Sequence, residues 1–168
     1  MSTPPAELVD IVDEHDRVIA TVSRSEMRAN RMMHRAVFIA VRHPDGRLLV
    51  HRRSLAKDLW PGRWDLAVGG VVSAGEEFDA AARRELAEEV GIMGAAPVPL
   101  GGGTYRDDDV ALVGRCYQVV TPGPFEFADG EVIEAEWVSM EDVPALLAAR
   151  EFLPDSVELL LPLLRPRT

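Results

Sequence analysis

The stretch whose reading decides the fold runs from Gly70 to Ile92, GVVSAGEEFDAAARRELAEEVGI. Within it Phe78, Ala82, Leu86 and Val90 recur every fourth residue and form one apolar stripe at helical spacing. Gly91 follows directly, in the position glycine favours just past a helix end, so the spacing predicts a helix over Phe78 to Val90. On that helix Glu85, Glu88 and Glu89 share one arc of roughly 100° beside the apolar stripe. Like charges at such spacings cost a helix about 0.2–0.5 kcal/mol per pair. Glu88 and Glu89 also occupy the last turn, where the helix dipole disfavours carboxylates. Two local rules fail at one place, and such failures tend to mark functional sites.

A divalent cation resolves both conflicts. With no Cys or His beside them, carboxylates alone suit a hard, oxygen-seeking ion, so Mg²⁺ or Mn²⁺ rather than Zn²⁺. A bare Glu-x-x-Glu-Glu is more often a solvated acidic helix face, and its surroundings change that balance. Gly70, Glu76, Arg84-Glu85-Leu86, Glu88-Glu89, Gly91 and Ile92 fill every fixed position of the pattern GX5EX7REUXEEXGU, where U is a bulky aliphatic. By average residue usage such a match arises by chance on the order of once in ten million chains of this length. The chain therefore resembles the Nudix hydrolases.

That resemblance implies an α/β/α sandwich with a mixed sheet and a loop–helix–loop metal site, here preceded by an N-terminal β-hairpin. It implies that Glu88 and Glu89 ligate metal, and that Glu85 is a further ligand or the base that takes a proton from water. Arg84 then orients these carboxylates and pairs with Glu76, and a backbone carbonyl of the Gly69-Gly70 turn completes the metal shell. Glu131, in a later loop, is the candidate for an added glutamate ligand, with a plain surface acid as the alternative. The implied activity is Mg²⁺-dependent cleavage of a pyrophosphate bond in a nucleoside diphosphate-linked compound or a nucleoside triphosphate.

Outward from the box, Leu8 to Asp13 and Arg17 to Val22 read as a hairpin around Asp13-Glu14-His15-Asp16. Ser23 to Asn30 is polar and reads as helical or irregular. Ala36 to Val41 and Leu48 to Val50 flank the turn signal Pro44-Asp45-Gly46, and the first of these strands is apolar on both faces, as at a sheet centre. One brief strand is expected from Trp64 to Val68, then strands near Val98 to Tyr105, Val110 to Val120 and Val132 to Val138. Helices are expected over Glu141 to Arg150 and Asp155 to Leu164, with Pro162 ending or kinking the last. The expectation is a single domain over residues 1–168 whose mixed sheet carries helices on both sides.

The segment LLVHRRSLAKDLWPGRWDLAVGG, with the N-terminal hairpin, looks like the bacterial Nudix branch related to isopentenyl-diphosphate isomerase. Those isomerases use a cysteine on the strand before the metal site. Here that strand reads Asp65-Leu66-Ala67-Val68, and Cys116 lies far along the chain as a small buried residue. Isomerisation is accordingly the alternative, and a non-catalytic nucleotide sensor is a second one, disfavoured by the intact Arg84, Glu85, Glu88 and Glu89. Between Arg47 and Arg63 basic residues outnumber acids, and Arg52, Arg53 and Lys57 are the candidates for contact with substrate phosphates. Trp60, Trp64 and Tyr105 are candidates to stack a nucleobase, Trp64 reading rather as core, and His34 reads as structural.

Composition sets outer limits. The chain has 168 residues, 47% of them hydrophobic and 27% charged, which excludes a disordered or low-complexity protein. Its net charge of −10 argues against a nucleic-acid polymer as partner. The apolar runs are too short for a bilayer and the N-terminus does not read as a secretory signal, so a cytoplasmic location and no membrane partner are expected. The expected partner is a small diphosphate-bearing molecule, and a homodimer is left open.

Overall fold

A computed structural model describes residues 4–127 and 130–164. The chain opens with an antiparallel hairpin of β1 (Leu8–Val12) and β2 (Val18–Ser23). Asp13 builds its turn: its Oδ1 accepts the backbone N–H of His15 at 2.8 Å and of Arg17 at 3.0 Å. The polar stretch that follows is helical as α1 (Arg24–Ala29), started by Ser23, whose side chain accepts the N–H of Glu26, and anchored by fully buried Met27.

Strand β3 (His34–Arg42) is buried along most of its length. It lies antiparallel to β6 (Val68–Val71) on one side and parallel to β8 (Ala111–Val120) on the other, and β7 (Val98–Arg106) extends that sheet antiparallel to β8. Strand β4 (Leu48–Arg53) pairs antiparallel with both β5 (Trp64–Asp65) and β9 (Val132–Val138). Strands β3 and β4 share a bridge only at Arg42 and Leu48, beside the Pro44-Asp45-Gly46 turn. They diverge from there, which leaves a cleft between the His34 end of one and the Arg53 end of the other.

Both faces of this mixed sheet carry helices, as expected. Val37, Ile39, Leu49 and Val68 pack on Ala82, Leu86 and Val90 of α2 (Phe78–Val90). The opposite face puts Phe38, Val50 and Leu112 with Leu153, Leu160 and Leu161, around α4 (Pro154–Leu159) and α5 (Leu161–Leu164). Helix α3 (Val143–Ala149) adds Val143 to that core. Burying a leucine or valine side chain in either layer contributes roughly 1.5–3 kcal/mol.

Two expectations need correction. The stretch from Trp64 to Val68 is two strands and not one, because Asp65 Oδ1 accepts the Ala67 N–H at 3.0 Å and the Ser156 hydroxyl at 2.6 Å. This side-chain turn carries the chain from the β4 partner to the β3 partner. The last helix is likewise two short ones, since Pro162 has no N–H to continue the ladder. Among the described residues no helix is long and apolar enough to cross a membrane.

Candidate functional site

Helix α2 forms where the apolar stripe places it, and Gly91 ends it with φ at 71° in the left-handed region. Its apolar face lies on the sheet, which carries Glu85 inward beside the backbone of β6. A Cβ at Gly70 would stand 2.6 Å from Glu85 Oε1, so only glycine lets this carboxylate lie against the strand. Glu85 is 8% exposed, and burial raises its pKa although the neighbouring Arg84 charge opposes the rise.

Arg84 organises the carboxylates. Its Nε and one terminal nitrogen donate to the two oxygens of Glu76, both at 2.8 Å, in a bidentate pair. Its other terminal nitrogen donates to Glu85 at 2.9 Å and Glu88 at 3.2 Å, and the Val71 carbonyl accepts a further bond. The hydrogen bonds from Arg84 hold the Glu76 carboxyl below its ordinary pKa. Glu88 is the most exposed of the cluster, at 61% of its side chain. Glu89 is partly buried, and burial together with the Glu85 charge pushes its pKa up to about 8.

Among the described residues no three carboxylate, imidazole or thiol groups converge tightly enough to grip a metal ion as they stand. The donor chemistry nevertheless fits one. Two neighbouring carboxylates, Glu85 and Glu89, lie in a desolvated place, and burial makes each resist ionising although Arg84 beside Glu85, and Lys57 and Arg53 near Glu89, oppose the rise. Oxygen donors and a carboxylate pair needing a counter-charge suit a hard divalent ion.

These residues form one wall of a cleft of about 350 Å³ that is also lined by the backbone of Gly69 and Gly70. Arg53 and Lys57 reach the same cleft from the end of β4 and the loop after it, as does Glu131, which is ion-paired with Lys57. Thus the structure brings together Glu85, Glu88, Glu89, Arg84, Gly69, Gly70, Arg53, Lys57 and Glu131.

It does not bring Arg52 with them. The Arg52 Nε donates to the Gly62 carbonyl at 2.9 Å and a terminal nitrogen reaches Glu134 at 3.4 Å, away from the cleft. Of Arg52 and Arg53, between which the β4–β9 register slips, only Arg53 lines the cleft. The aromatic candidates also separate. Trp60 lines the cleft, Trp64 is core under the Arg150 guanidinium at 4.1 Å, and the Tyr105 hydroxyl donates to Asp107 at 2.7 Å outside it. His34 lines the cleft with its Nδ1 at 2.9 Å from the Met32 carbonyl, and burial lowers its pKa to about 4. Cys116 is fully buried and does not line this cleft; burial pushes its thiol up to about 12.

Five charged cleft residues escape a reading of the sequence: Glu7, Arg24 and Arg28 of α1, Asp65, and Asp155 of α4. The only advance signal was the four-residue spacing of the two arginines. Asp155 is 6% exposed, and burial followed by the nearby Asp65 charge raises its pKa to about 7.

Comparison with known proteins agrees with this geometry. The family model described as the NUDIX domain matches residues 32–160. An uncharacterized Nudix hydrolase of Yersinia pestis is 41% identical over 154 residues, covering 92% of this chain and 84% of its own. One from Streptomyces coelicolor is 38% identical, covering 90% of this chain and 84% of its own. The crystal structure of DR0079 from Deinococcus radiodurans superposes with a TM-score of 0.77 at 29% identity, over 95% of this chain and 98% of that one. The Nudix domain of Shewanella oneidensis NrtR, solved with ADP ribose, shares the fold alone, with a TM-score of 0.61 at 18% identity over 84% of this chain and 96% of that one. The box, the layered sheet that presents it and the extent of these matches agree, and the chain belongs to the Nudix family.

Proposed function

We propose that the protein is a pyrophosphohydrolase that uses Mg²⁺ or Mn²⁺ to split a pyrophosphate bond in a nucleoside diphosphate-linked compound or a nucleoside triphosphate. The observation that carries this reading is the facing of two walls across one cleft. The box carboxylates Glu85, Glu88 and Glu89 with the Gly69-Gly70 backbone stand on one, and Arg53 and Lys57 on the other. Acids alone would repel a diphosphate, and bases alone would bind it without activating water.

Glu85, Glu88 and Glu89 would hold the metal, with the Gly69-Gly70 backbone and Glu131 as further oxygen donors. A divalent ion bound there supplies charge neutralisation on the phosphates and a lower pKa for attacking water. Arg53 and Lys57 bind and orient the phosphates, the first through a planar fork and the second as a mobile point charge. Arg84 holds the Glu85 carboxylate in place through its pairing with Glu76. One carboxylate of the Glu85–Glu89 pair accepts the proton of the water that attacks phosphorus in line. An isomerase chemistry that depends on a cleft thiol is not served by Cys116, which lies elsewhere.

The test is a screen of nucleoside diphosphate and triphosphate derivatives with Mg²⁺ and with Mn²⁺, reading released phosphate, pyrophosphate and nucleoside monophosphate. Metal-dependent turnover of at least one compound is expected. A folded protein that binds such compounds but turns over none would be a sensor instead.

A further inference from the structure

Two cations that line the cleft, Arg24 and Arg28, have no part in holding the diphosphate. Helix α1 places Arg24 and Arg28 four residues apart, hence on one face, and both line the cleft, Arg28 beside Asp58 of the loop that carries Lys57. Arg28 is 21% exposed, and its Nε is buried with no hydrogen-bond partner among the described residues. The nearest acid is Asp58 at 3.6 Å, beyond hydrogen-bond reach and itself 55% exposed. Among the described residues the Arg24 guanidinium has only a long contact to Glu7, at 3.4 Å. The Nε of Arg53, which also lines the cleft, is buried and unpartnered among the described residues as well, while a terminal nitrogen donates to the Leu59 carbonyl at 3.0 Å.

A desolvated guanidinium with an orphaned N–H costs stability, and the cleft holds two of them, Arg28 and Arg53, with the Arg24 charge beside them adding repulsion. A tether for α1 would need one well-formed ion pair, and the contact to Asp58 is not one. Buried Met27 already anchors the helix. An anion entering the cleft would satisfy the free N–H groups and the repulsion together.

We infer that Arg24 and Arg28 form a second anion subsite, which holds one phosphoryl group beyond the diphosphate held by Arg53 and Lys57. The inference rests on the pyrophosphohydrolase reading and narrows its substrates to compounds with a third phosphoryl group. That group is either the end of a triphosphate chain or a phosphate on the group esterified to the diphosphate.

Calorimetric titration of the whole protein in chelator, with inorganic tripolyphosphate and inorganic pyrophosphate, tests the subsite apart from catalysis. Wild type should bind tripolyphosphate about tenfold more tightly, as expected for one added charge-assisted contact. Arg28→Gln and Arg24→Ala should each erase most of that preference while moving pyrophosphate affinity less than twofold. Arg24 is exposed enough that its variant tests the idea even if Arg28→Gln folds poorly. Equal affinity of wild type for the two anions, or variants that keep the preference or lose both affinities alike, would overturn the subsite. With Mg²⁺ present, KM values for a nucleoside triphosphate, its diphosphate and a phosphate-bearing diphosphate ester separate the two sources, since only the arm that uses the subsite should respond to Arg24→Ala. Hydrolysis unaffected by either variant in every arm would overturn the subsite and leave the pyrophosphohydrolase standing. Absence of hydrolysis in wild type would sink the latter instead.

Discussion

The two walls of the cleft are held in opposite ways. On the acidic wall one residue, Arg84, spends its donors on Glu76, Glu85, Glu88 and the Val71 carbonyl, so the carboxylates are positioned before anything binds. On the basic wall Arg28 and Arg53 each keep a buried Nε without a partner. The first wall is preorganised by Arg84 except at Glu89. On the second, Lys57 is paired with Glu131, while those Nε groups of Arg28 and Arg53 are left without a partner among the described residues. Under the pyrophosphohydrolase proposal the contrast would be a division of labour: geometry for chemistry fixed by the protein alone, and binding energy drawn from the ligand, which would supply the unmade hydrogen bonds.

The sharpest way to break this contrast is on the acidic wall. Glu88→Gln and Glu89→Gln should each lower kcat by several orders of magnitude, with KM changing far less. Steady-state kinetics decide it: activity within about tenfold of wild type, about 1.4 kcal/mol of barrier, would take either residue out of the metal site. Arg84→Ala attacks the same wall from beneath. It leaves Glu85 buried without its donor, and loss of charge-assisted bonds of this kind costs about 1.5–3 kcal/mol of stability. Denaturant unfolding should show that loss beside a fall in kcat. A variant with full activity and unchanged stability would show that the carboxylates need no organiser.

The difference between the walls also explains what the sequence could tell. The acidic wall is contiguous: a strand end, a turn and one helix, whose apolar period fixed its facing and whose charges were conspicuous at helical spacing. The basic wall is assembled from two segments distant in the chain, α1 and the end of β4 with the loop after it. Arg52 and Arg53 are chemically identical neighbours, and composition cannot say which of two alternating positions faces a cleft that depends on how β3 and β4 diverge. Arg24 and Arg28 lie in a short polar helix with no periodic apolar face to orient it. Asp155 begins a helix, where an acid ordinarily just complements the dipole, and its burial follows from the packing of α4 on the far face of the sheet. The sheet's centre was legible because β3 is apolar on both sides. The break between β5 and β6 was not, since it depends on Ser156 reaching Asp65 from the other end of the chain.

A milder intervention sharpens the basic wall. Arg53→Ala and Lys57→Ala should raise KM, roughly tenfold, with kcat little changed, as loss of ground-state phosphate contacts does. Arg52→Ala, one residue from Arg53 and turned to Gly62, should leave KM within about twofold of wild type. A fall in kcat alone for Lys57→Ala would move it from docking to chemistry. An Arg52→Ala variant as impaired as Arg53→Ala would mean that β4 presents both arginines to the substrate.

The smallest effect lies in the metal-free protein and separates two buried acids on opposite sides of the cleft. Folding raises the pKa of Glu89 to about 8 from an ordinary 4.5, and that of Asp155 to about 7 from 3.8. A carboxyl raised in this way costs nothing while it is protonated in both states. As pH climbs above its unfolded value the unfolded chain releases the proton first, so stability falls, and the loss is complete above the folded pKa. In chelator, wild type should therefore melt at lower temperature at pH 8.5 than at pH 5. Glu89→Gln and Asp155→Asn should each flatten part of that decline, by roughly 2–4 °C for each kcal/mol relieved in a chain of this size. Millimolar Mg²⁺ then tells the two apart. An ion bound at Glu89 stabilises the folded state by linkage, so the rise in melting temperature should shrink or vanish in Glu89→Gln and persist at wild-type size in Asp155→Asn. An undiminished Mg²⁺ shift in Glu89→Gln, with lower metal-free stability, would make Glu89 a structural residue. A lost shift in Asp155→Asn would bring Asp155 into the metal's surroundings.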